Sequence, residues 1–122
     1  MPEQPLIDEK RLQAICDGDT EGLHYLLGIF CEQTKEDLKN LEIAIHSGIN
    51  DEIRRLSHGA AGACETYGIP ALSIPLRAIE SEIIKGQSSN ALHYYAQANV
   101  IFHRTETALA HYQSTLSQRK AA

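Results

Sequence analysis

The sequence predicts an all-α fold: an antiparallel four-helix bundle with a short extra N-terminal helix. Apolar residues recur every three or four positions over long stretches, and the alternating pattern of β-strands is absent. Glycines and prolines mostly separate these stretches, so the connections are short and consecutive helices should lie antiparallel. The length is ordinary for one domain and no domain boundary is visible, so residues 1–122 are predicted to form a single domain.

Two helices are predicted in the first part of the chain. The short leading helix begins after Asp8, which can cap it, and ends near Gly18. The long second helix is capped by Asp19 or Thr20 and stops at Gly48. Its apolar stripe consists of Leu23, Leu27, Phe30, Thr34, Leu38, Leu41 and Ile45. A stripe of this length indicates one continuous buried face.

The third and fourth helices follow two further breaks. The third begins near Asp51 and ends at Gly68, and its predicted buried face is Ile53, Leu56, Ala60, Ala63 and Tyr67. The fourth begins near Pro70, a residue that suits the first helical position, and closes at Lys85–Gly86. Its buried face is Leu72, Leu76, Ile79 and Ile83. Pro75 cannot donate a backbone hydrogen bond, so it should lie in the first two turns or mark a small kink.

A last long helix follows the polar linker that ends at residue 90. Its apolar positions are Ala91, Tyr95, Ala98, Phe102, Thr105, Leu109, Tyr112 and Leu116. The alternating steps of three and four residues are those of a bundle seam, so this helix should run the length of the bundle.

The composition excludes several function classes. A formal net charge of −5 argues against a general nucleic-acid binder, because no basic stripe is present to neutralise phosphates. No apolar run approaches the roughly 20 residues that span a bilayer, and no signal peptide opens the chain. Cys16, Cys31 and Cys64 show no zinc or redox spacing, so we expect small buried thiols in a reducing cytoplasm. The six histidines are scattered, and no metal site is predicted.

The residues that can carry chemistry lie on the third helix. At about 100° per residue, His58 falls opposite the apolar stripe, with Gly62 one turn beyond it. The residues that border this outer face are Arg54, Arg55, Ala61 and Glu65. A glycine inside a helix costs about 1 kcal/mol relative to alanine, and this helix has both Gly59 and Gly62. A bare surface around an exposed imidazole would let a second protein approach closely.

A simpler interpretation of the same residues is also available. An exposed histidine on a helix is commonly just a solvated side chain. Glycines inside helices can serve close packing between helices. Spacing alone therefore leaves the function open.

At these residues the sequence resembles the histidine-containing phosphotransfer (HPt) domain family. The family pattern is a histidine, two residues, usually a lysine, a glycine, a small residue, and a second glycine before the next helix. The segment HGAAGACETYG has His58, Gly62, Ala63 and Gly68 in place, and the flanking segments are similar over most of the chain. Ala61 stands where the lysine is usual. In the family that lysine steadies the phosphoryl group, so its loss is expected to slow transfer or destabilise the phosphohistidine.

The resemblance implies a phosphorelay carrier. His58 would accept a phosphoryl group from an aspartyl phosphate on one response-regulator receiver domain and pass it to an aspartate on another. Family members generally react through the ring nitrogen farther from the backbone. An exposed imidazole is largely neutral at cytoplasmic pH, so no general base is needed. Receiver domains are the expected partners; this domain should contact neither nucleic acid nor membrane.

The chain is expected to be a carrier and not an enzyme. It has no glycine-rich phosphate loop, Walker pattern or carboxylate cluster suited to Mg²⁺, so no cofactor is predicted and the receiver should supply the metal. Domains of the family occur alone and as the last domain of hybrid sensor kinases that span the membrane elsewhere. On the pattern of the family, we expect this chain to come from a hybrid sensor kinase. The parent protein would then be a histidine kinase, with this domain in the cytoplasm. The cognate hybrid sensor kinase would also be a partner of the domain.

The surface around the histidine should extend onto the antiparallel second helix, at Gln33, Asp37 and Asn40. Gln33 either hydrogen-bonds near the histidine or is an ordinary solvated residue. The leading helix, through Leu12 and Ile15, either caps the bundle or adds apolar area to this surface, and capping is favoured. The predicted docking surface comprises Gly59, Gly62, Arg55, Ala61, Glu65, Gln33 and Asp37.

Two rival functions remain. A pseudo-phosphotransfer module would bind receivers but transfer poorly, because Ala61 replaces the usual lysine. A helical scaffold would carry no phosphate chemistry. Retention of His58 favours active transfer over both.

Overall fold

The computed structural model describes residues 4–121, with side chains up to residue 118; the ends of the predicted 1–122 domain lie outside this range. It contains five helices: α1 (Glu9–Cys16), α2 (Thr20–Ser47), α3 (Asn50–Tyr67), α4 (Pro70–Ile84) and α5 (Ala91–Ala121). No strand occurs within residues 4–121, which confirms the all-α prediction. The four longer helices pack in a closed ring, α2 on α3, α3 on α4, α4 on α5 and α5 on α2. Among the described helices, none has the combination of length and hydropathy that a membrane span requires.

The helix ends lie where the local signals place them. Asp8 and Asp19 cap α1 and α2, and each accepts a hydrogen bond from the backbone N–H three residues on, at 3.2 and 2.9 Å. Gly48 and Gly68 end α2 and α3 in the left-handed region, with φ of 69° and 73°. Pro75 lies in the second turn of α4, as predicted. The short connections that follow from these caps hold consecutive helices antiparallel.

The core is built from the predicted stripes of α2, α4 and α5, except that Ile45 and Leu116 are only partly buried against it. The largest fully buried apolar side chains are Leu12, Leu23, Leu27, Leu41, Ile53, Ile69, Leu72, Leu76, Ile79 and Leu109. Burying one such side chain is worth roughly 2 kcal/mol, whereas each helical glycine costs about 1 kcal/mol. Packing therefore outweighs the low helix propensity of the two glycines inside α3.

The buried face of α3 is rotated relative to the prediction. It consists of Ile53, Leu56, Ser57, Ala60, Ala61 and Cys64. Ala61, predicted to border the exposed face and to belong to the docking surface, is 0% exposed, while Ala63 and Tyr67 are only partly buried. Small side chains at four of the buried positions let α4 approach closely, and α3 makes its most extensive contact with α4. The prediction for Ala61 was therefore wrong.

The leading helix α1 covers the C-terminal end of α3. Leu12 is completely buried in the core. The backbone N–H of Asp8 donates to the carbonyl of Gly68 at 2.8 Å, and Arg11 Nε donates to the carbonyl of Thr66 at 2.9 Å. These bonds satisfy carbonyls that the end of a helix leaves without intrahelical partners. The preferred interpretation of α1 as a bundle cap is confirmed.

Two C-cap glycines provide a matched test of this cap. Gly68→Ala and Gly48→Ala both place a side chain at positive φ, which costs about 1 to 2 kcal/mol. A Cβ at position 68 would also lie 2.8 Å from Cβ of Arg11, whereas one at position 48 would meet nothing within 4 Å. In urea denaturation we therefore expect Gly68→Ala to lower the free energy of unfolding by roughly 1 to 3 kcal/mol more than Gly48→Ala. An equal loss of unfolding free energy in the two variants would show that α1 does not pack against the turn at Gly68.

Candidate functional site

His58 stands on the solvent side of α3. Its side chain is 65% exposed, although its neighbours Ser57 and Ala60 are buried. Gly59 beside it is exposed as well. The predicted outward projection of this imidazole is confirmed.

The inner ring nitrogen of His58 is held by α4. Nδ1 lies 2.5 Å from Oε2 of Glu80, whose side chain is only 13% exposed. The other oxygen of this carboxylate, Oε1, accepts a hydrogen bond from Nη1 of Arg77 at 2.7 Å. The ring is thus oriented by a carboxylate that is itself anchored.

The charge of Glu80 determines the tautomer of the histidine. Burial raises the pKa of Glu80, but hydrogen bonds from Arg77 and His58 more than offset this and the pKa is lowered overall. The ionised carboxylate can only accept, so we assign the ring hydrogen to Nδ1, which donates it to Glu80. Nη1 of Arg77 lies 3.2 Å from Nδ1. Because Nδ1 carries a hydrogen, Nη1 does not donate a hydrogen bond to it and acts on the ring only through its positive charge. Nε2 carries the lone pair, and no described group bonds it.

Arg77 also reaches back to α3. Its Nε and Nη2 donate to the two carboxylate oxygens of Glu65 at 3.0 and 2.6 Å. These bonds lower the pKa of Glu65 and, with those to Glu80, raise the pKa of Arg77. Because Glu65 is half-exposed, this pair contributes at most about 1 kcal/mol to stability. His58, Glu65, Arg77 and Glu80 together form what we call the histidine cluster.

The α2 side of the site differs from one expectation. Gln33 Nε2 donates to Oδ1 of Asp37 on the same helix at 2.9 Å, so the hydrogen bond considered between Gln33 and the histidine is not formed. Burial raises the pKa of Asp37, and the bond from Gln33 and the charge of Arg55 partly offset this. Arg55 itself pairs with Glu52 at 3.0 and 2.8 Å. Arg55 thus bonds Glu52 on its own helix, one turn before His58, and acts on Asp37 of α2 only through its charge.

The two glycines of α3 are not required by packing within the domain. A Cβ built on Gly59 or on Gly62 would meet nothing within 4 Å. Close helix packing, the simpler interpretation of these glycines, therefore does not explain them. Their effect is to leave the surface beside His58 without side chains.

Sequence reasoning missed Arg77 and Glu80 as site residues. Both residues lie on α4, whereas the predicted site is confined to α2 and α3. A usable signal was present, because residues at equal distance from a short turn lie side by side in two antiparallel helices. Equal steps from the turn between Gly68 and Ile69 lead from His58 to residue 79, next to Glu80, and Arg77 lies one turn before Glu80 on the same face of α4.

Cys64 and Cys31 are weak nucleophiles, and the described residues contain no group of metal ligands. Burial raises the pKa of Cys64 to about 12, and burial followed by nearby carboxylates raises that of Cys31, so both are thiols at neutral pH. Within the described part of the chain, no three histidine, cysteine, aspartate or glutamate side chains are grouped so that they could hold a metal ion.

Comparison with known proteins identifies the fold and the family of the chain. The family model of the Hpt domain matches residues 26–117. The crystal structure of histidine-containing phosphotransfer protein B (HptB) from Pseudomonas aeruginosa PAO1 superimposes with a TM-score of 0.85 at 19% identity, over 91% of this chain and 96% of that one, which shows a shared fold. No curated protein matches the sequence. Because the family model spans well over half of the sequence, the chain belongs to the Hpt domain family.

Proposed function

We propose that the chain is a phosphorelay intermediate in which Nε2 of His58 takes a phosphoryl group from one receiver domain and gives it to another. Membership of the Hpt family supports a histidine phosphotransfer role, and Hpt domains partner with receiver domains. One observation carries the proposal for this chain: an exposed imidazole whose Nδ1 is bound to Glu80 while Nε2 keeps its lone pair outside.

The transfer needs no proton movement at the reacting atom. The Nε2 lone pair forms a bond to phosphorus, the phosphorus–oxygen bond to the receiver aspartate breaks, and its electron pair leaves with the carboxylate. The ring becomes cationic and keeps its hydrogen on Nδ1, which still donates a hydrogen bond to Glu80. The negative charge of Glu80 stabilises the cationic ring. In the second step another aspartate attacks phosphorus, and the electron pair of the nitrogen–phosphorus bond returns to Nε2. His58 therefore acts without a general base.

The domain acts as a carrier that depends on its partner for the rest of the chemistry. Phosphoryl transfer is mainly positioning and charge neutralisation, and we assign the Mg²⁺ and the acidic pocket to the receiver. We assign no ATP site or cofactor to this chain. It works in the cytoplasm, alone or as the cytoplasmic part of a membrane-bound hybrid sensor kinase, and contacts neither nucleic acid nor the bilayer.

The surface around His58 fits a docking role. Gly59 and Gly62 leave it bare, and the charges of Arg55 and Asp37 act on each other across its border with α2. A surface without side chains beside the imidazole lets a second protein approach closely. The docking surface that we propose for the receiver comprises Gly59, Gly62, Arg55, Glu65, Gln33 and Asp37.

The pseudo-phosphotransfer module is the second candidate, and the identity of Ala61 favours it. That candidate would bind receivers through the same surface but hold the phosphoryl group poorly. The orientation of the imidazole by Glu80 favours active transfer instead, because a module that only docks has no need of a fixed tautomer.

Transfer of label from receivers tests the proposal. Purified receiver domains are phosphorylated with labelled acetyl phosphate and mixed with the chain. We expect an acid-labile, alkali-stable phosphate on the wild type and none on His58→Gln, because Nε2 of this residue is the acceptor. His103→Gln is the matched control: His103 is equally exposed on α5, and its Nδ1 also faces a carboxylate, that of Glu106. Binding without label would support the pseudo-module, and neither binding nor label would support a scaffold.

The bare surface gives a second prediction. Gly62→Ala should raise the free energy of unfolding by about 1 kcal/mol, because alanine favours the helix and the added methyl meets no neighbour. The same methyl would lie in the receiver interface, so the transfer rate should fall roughly tenfold. Thr107→Ala on α5 is the control, since it improves helix propensity away from the site and should leave transfer unchanged. A transfer rate in Gly62→Ala equal to that of the wild type would show that the bare surface has no role in docking.

A further inference from the structure

The histidine cluster contains two carboxylates near the imidazole that would be phosphorylated. Glu80 holds Nδ1, and Glu65 lies two turns along the same face of α3. A phosphoryl group on Nε2 would add close to two further negative charges at this place. Unless a cation faces it, like-charge repulsion would destabilise the phosphorylated state.

Within the described side chains, the cation that contacts His58 is Arg77, with Nη1 3.2 Å from Nδ1. We propose that the guanidinium of Arg77, reaching across from α4, supplies the positive charge that steadies the phosphoryl group on His58, and that Glu65 holds this guanidinium ready until the group arrives. The inference rests on the proposed function of His58 as the phosphoryl carrier.

The register of α3 and α4 places Arg77 level with position 61 of α3, where α3 has an uncharged alanine. Ala61 follows His58 by three residues on α3, and Arg77 precedes Glu80 by three residues on the antiparallel α4. Because His58 and Glu80 are in contact, Arg77 and Ala61 lie at the same level of the bundle. The guanidinium thus spans the helical turn that contains Ala61, from His58 to Glu65. A short, buried side chain at position 61 leaves that space to Arg77.

The two carboxylate partners of Arg77 differ in how firmly they hold it. Glu80 is 13% exposed, so its bond to Nη1 anchors the guanidinium next to the ring. Glu65 is 49% exposed and binds the opposite edge, Nε and Nη2. An exposed ion pair is weak and easily exchanged, and the planar fork of a guanidinium matches phosphate oxygens as well as carboxylate oxygens. The Nε/Nη2 edge can therefore leave Glu65 for the phosphoryl group while Nη1 stays in place.

A phosphodonor that needs no partner isolates this effect. Potassium phosphoramidate transfers its phosphoryl group to histidine nitrogen and releases ammonia, so it can phosphorylate the intact chain without a receiver. The lifetime of phospho-His58 is then followed by phosphate-affinity electrophoresis, and its ionisation by ³¹P NMR. For Arg77→Gln we expect a lifetime roughly tenfold shorter than that of the wild type. Removal of the cation should also raise the second pKa of the phosphoryl group by roughly half a unit to one unit.

Further variants separate charge from structure. Arg77→Lys keeps the charge and should retain most of the lifetime. Glu65→Gln should lengthen the lifetime, since it frees the guanidinium and removes a nearby negative charge. Arg104→Gln on α5, away from the site, is the control and should behave as the wild type.

The outcomes distinguish this inference from the function on which it rests. A wild-type lifetime and ³¹P pKa in Arg77→Gln would overturn the role of Arg77 and leave His58 as the carrier. No phosphate on wild-type His58 from either phosphoramidate or receivers would overturn both. Circular dichroism shows whether Arg77→Gln is folded. If it is not, Arg77→Lys and Glu65→Gln are used instead, and the inference predicts a nearly wild-type phosphohistidine lifetime for the first and a longer one for the second. A shorter lifetime in Glu65→Gln would contradict the inference.

Discussion

The hydrogen bond between Nδ1 of His58 and the carboxylate of Glu80 determines what this imidazole can do. It fixes the ring hydrogen on the inner nitrogen and leaves the lone pair of Nε2 toward solvent. It also places a negative charge beside the ring, where a positive charge develops when Nε2 bonds to phosphorus. A histidine without such a partner would rotate, exchange tautomers and offer a reactive nitrogen only part of the time.

The fold keeps these two residues at a fixed distance. Small side chains on α3, among them Ser57 and Ala61, let α4 approach, and the tight turn at Gly68 sets the register between the two helices. The cap provided by α1 holds that turn through the carbonyl of Gly68. A core of buried leucines and isoleucines then stabilises α3 despite its two interior glycines. Stability is thus supplied away from the site, and the surface beside His58 stays bare.

Local signals made most of the fold predictable from the sequence. Asp8, Asp19, Gly48 and Gly68 act within a few residues of themselves, so the helix ends could be placed without knowledge of the neighbours. The exposure of His58 followed from helical periodicity alone. These features depend on φ, ψ and side-chain spacing along one segment.

The features that were missed depend on contacts between segments. Ala61 was misplaced because the rotation of α3 is set by the closeness of α4, which a single-helix projection does not contain. Arg77 and Glu80 join the site only through the register of two helices, and Gln33 bonds Asp37 in place of the ring. From the sequence, alanine in place of lysine at position 61 is expected to slow transfer or destabilise the phosphohistidine. The structure, however, places the guanidinium of Arg77 from α4 at the same level of the bundle.

The tautomer of His58 is the most direct test of this account. Two-dimensional ¹H–¹⁵N NMR of the imidazoles, recorded where the ring is uncharged, separates a protonated nitrogen from one that bears a lone pair. We expect Nδ1 of His58 to be protonated and Nε2 to carry the lone pair, with this preference weakened in Glu80→Ala. A ring hydrogen on Nε2 in the wild type would contradict the account, because the nitrogen that should attack phosphorus would then have no lone pair to give.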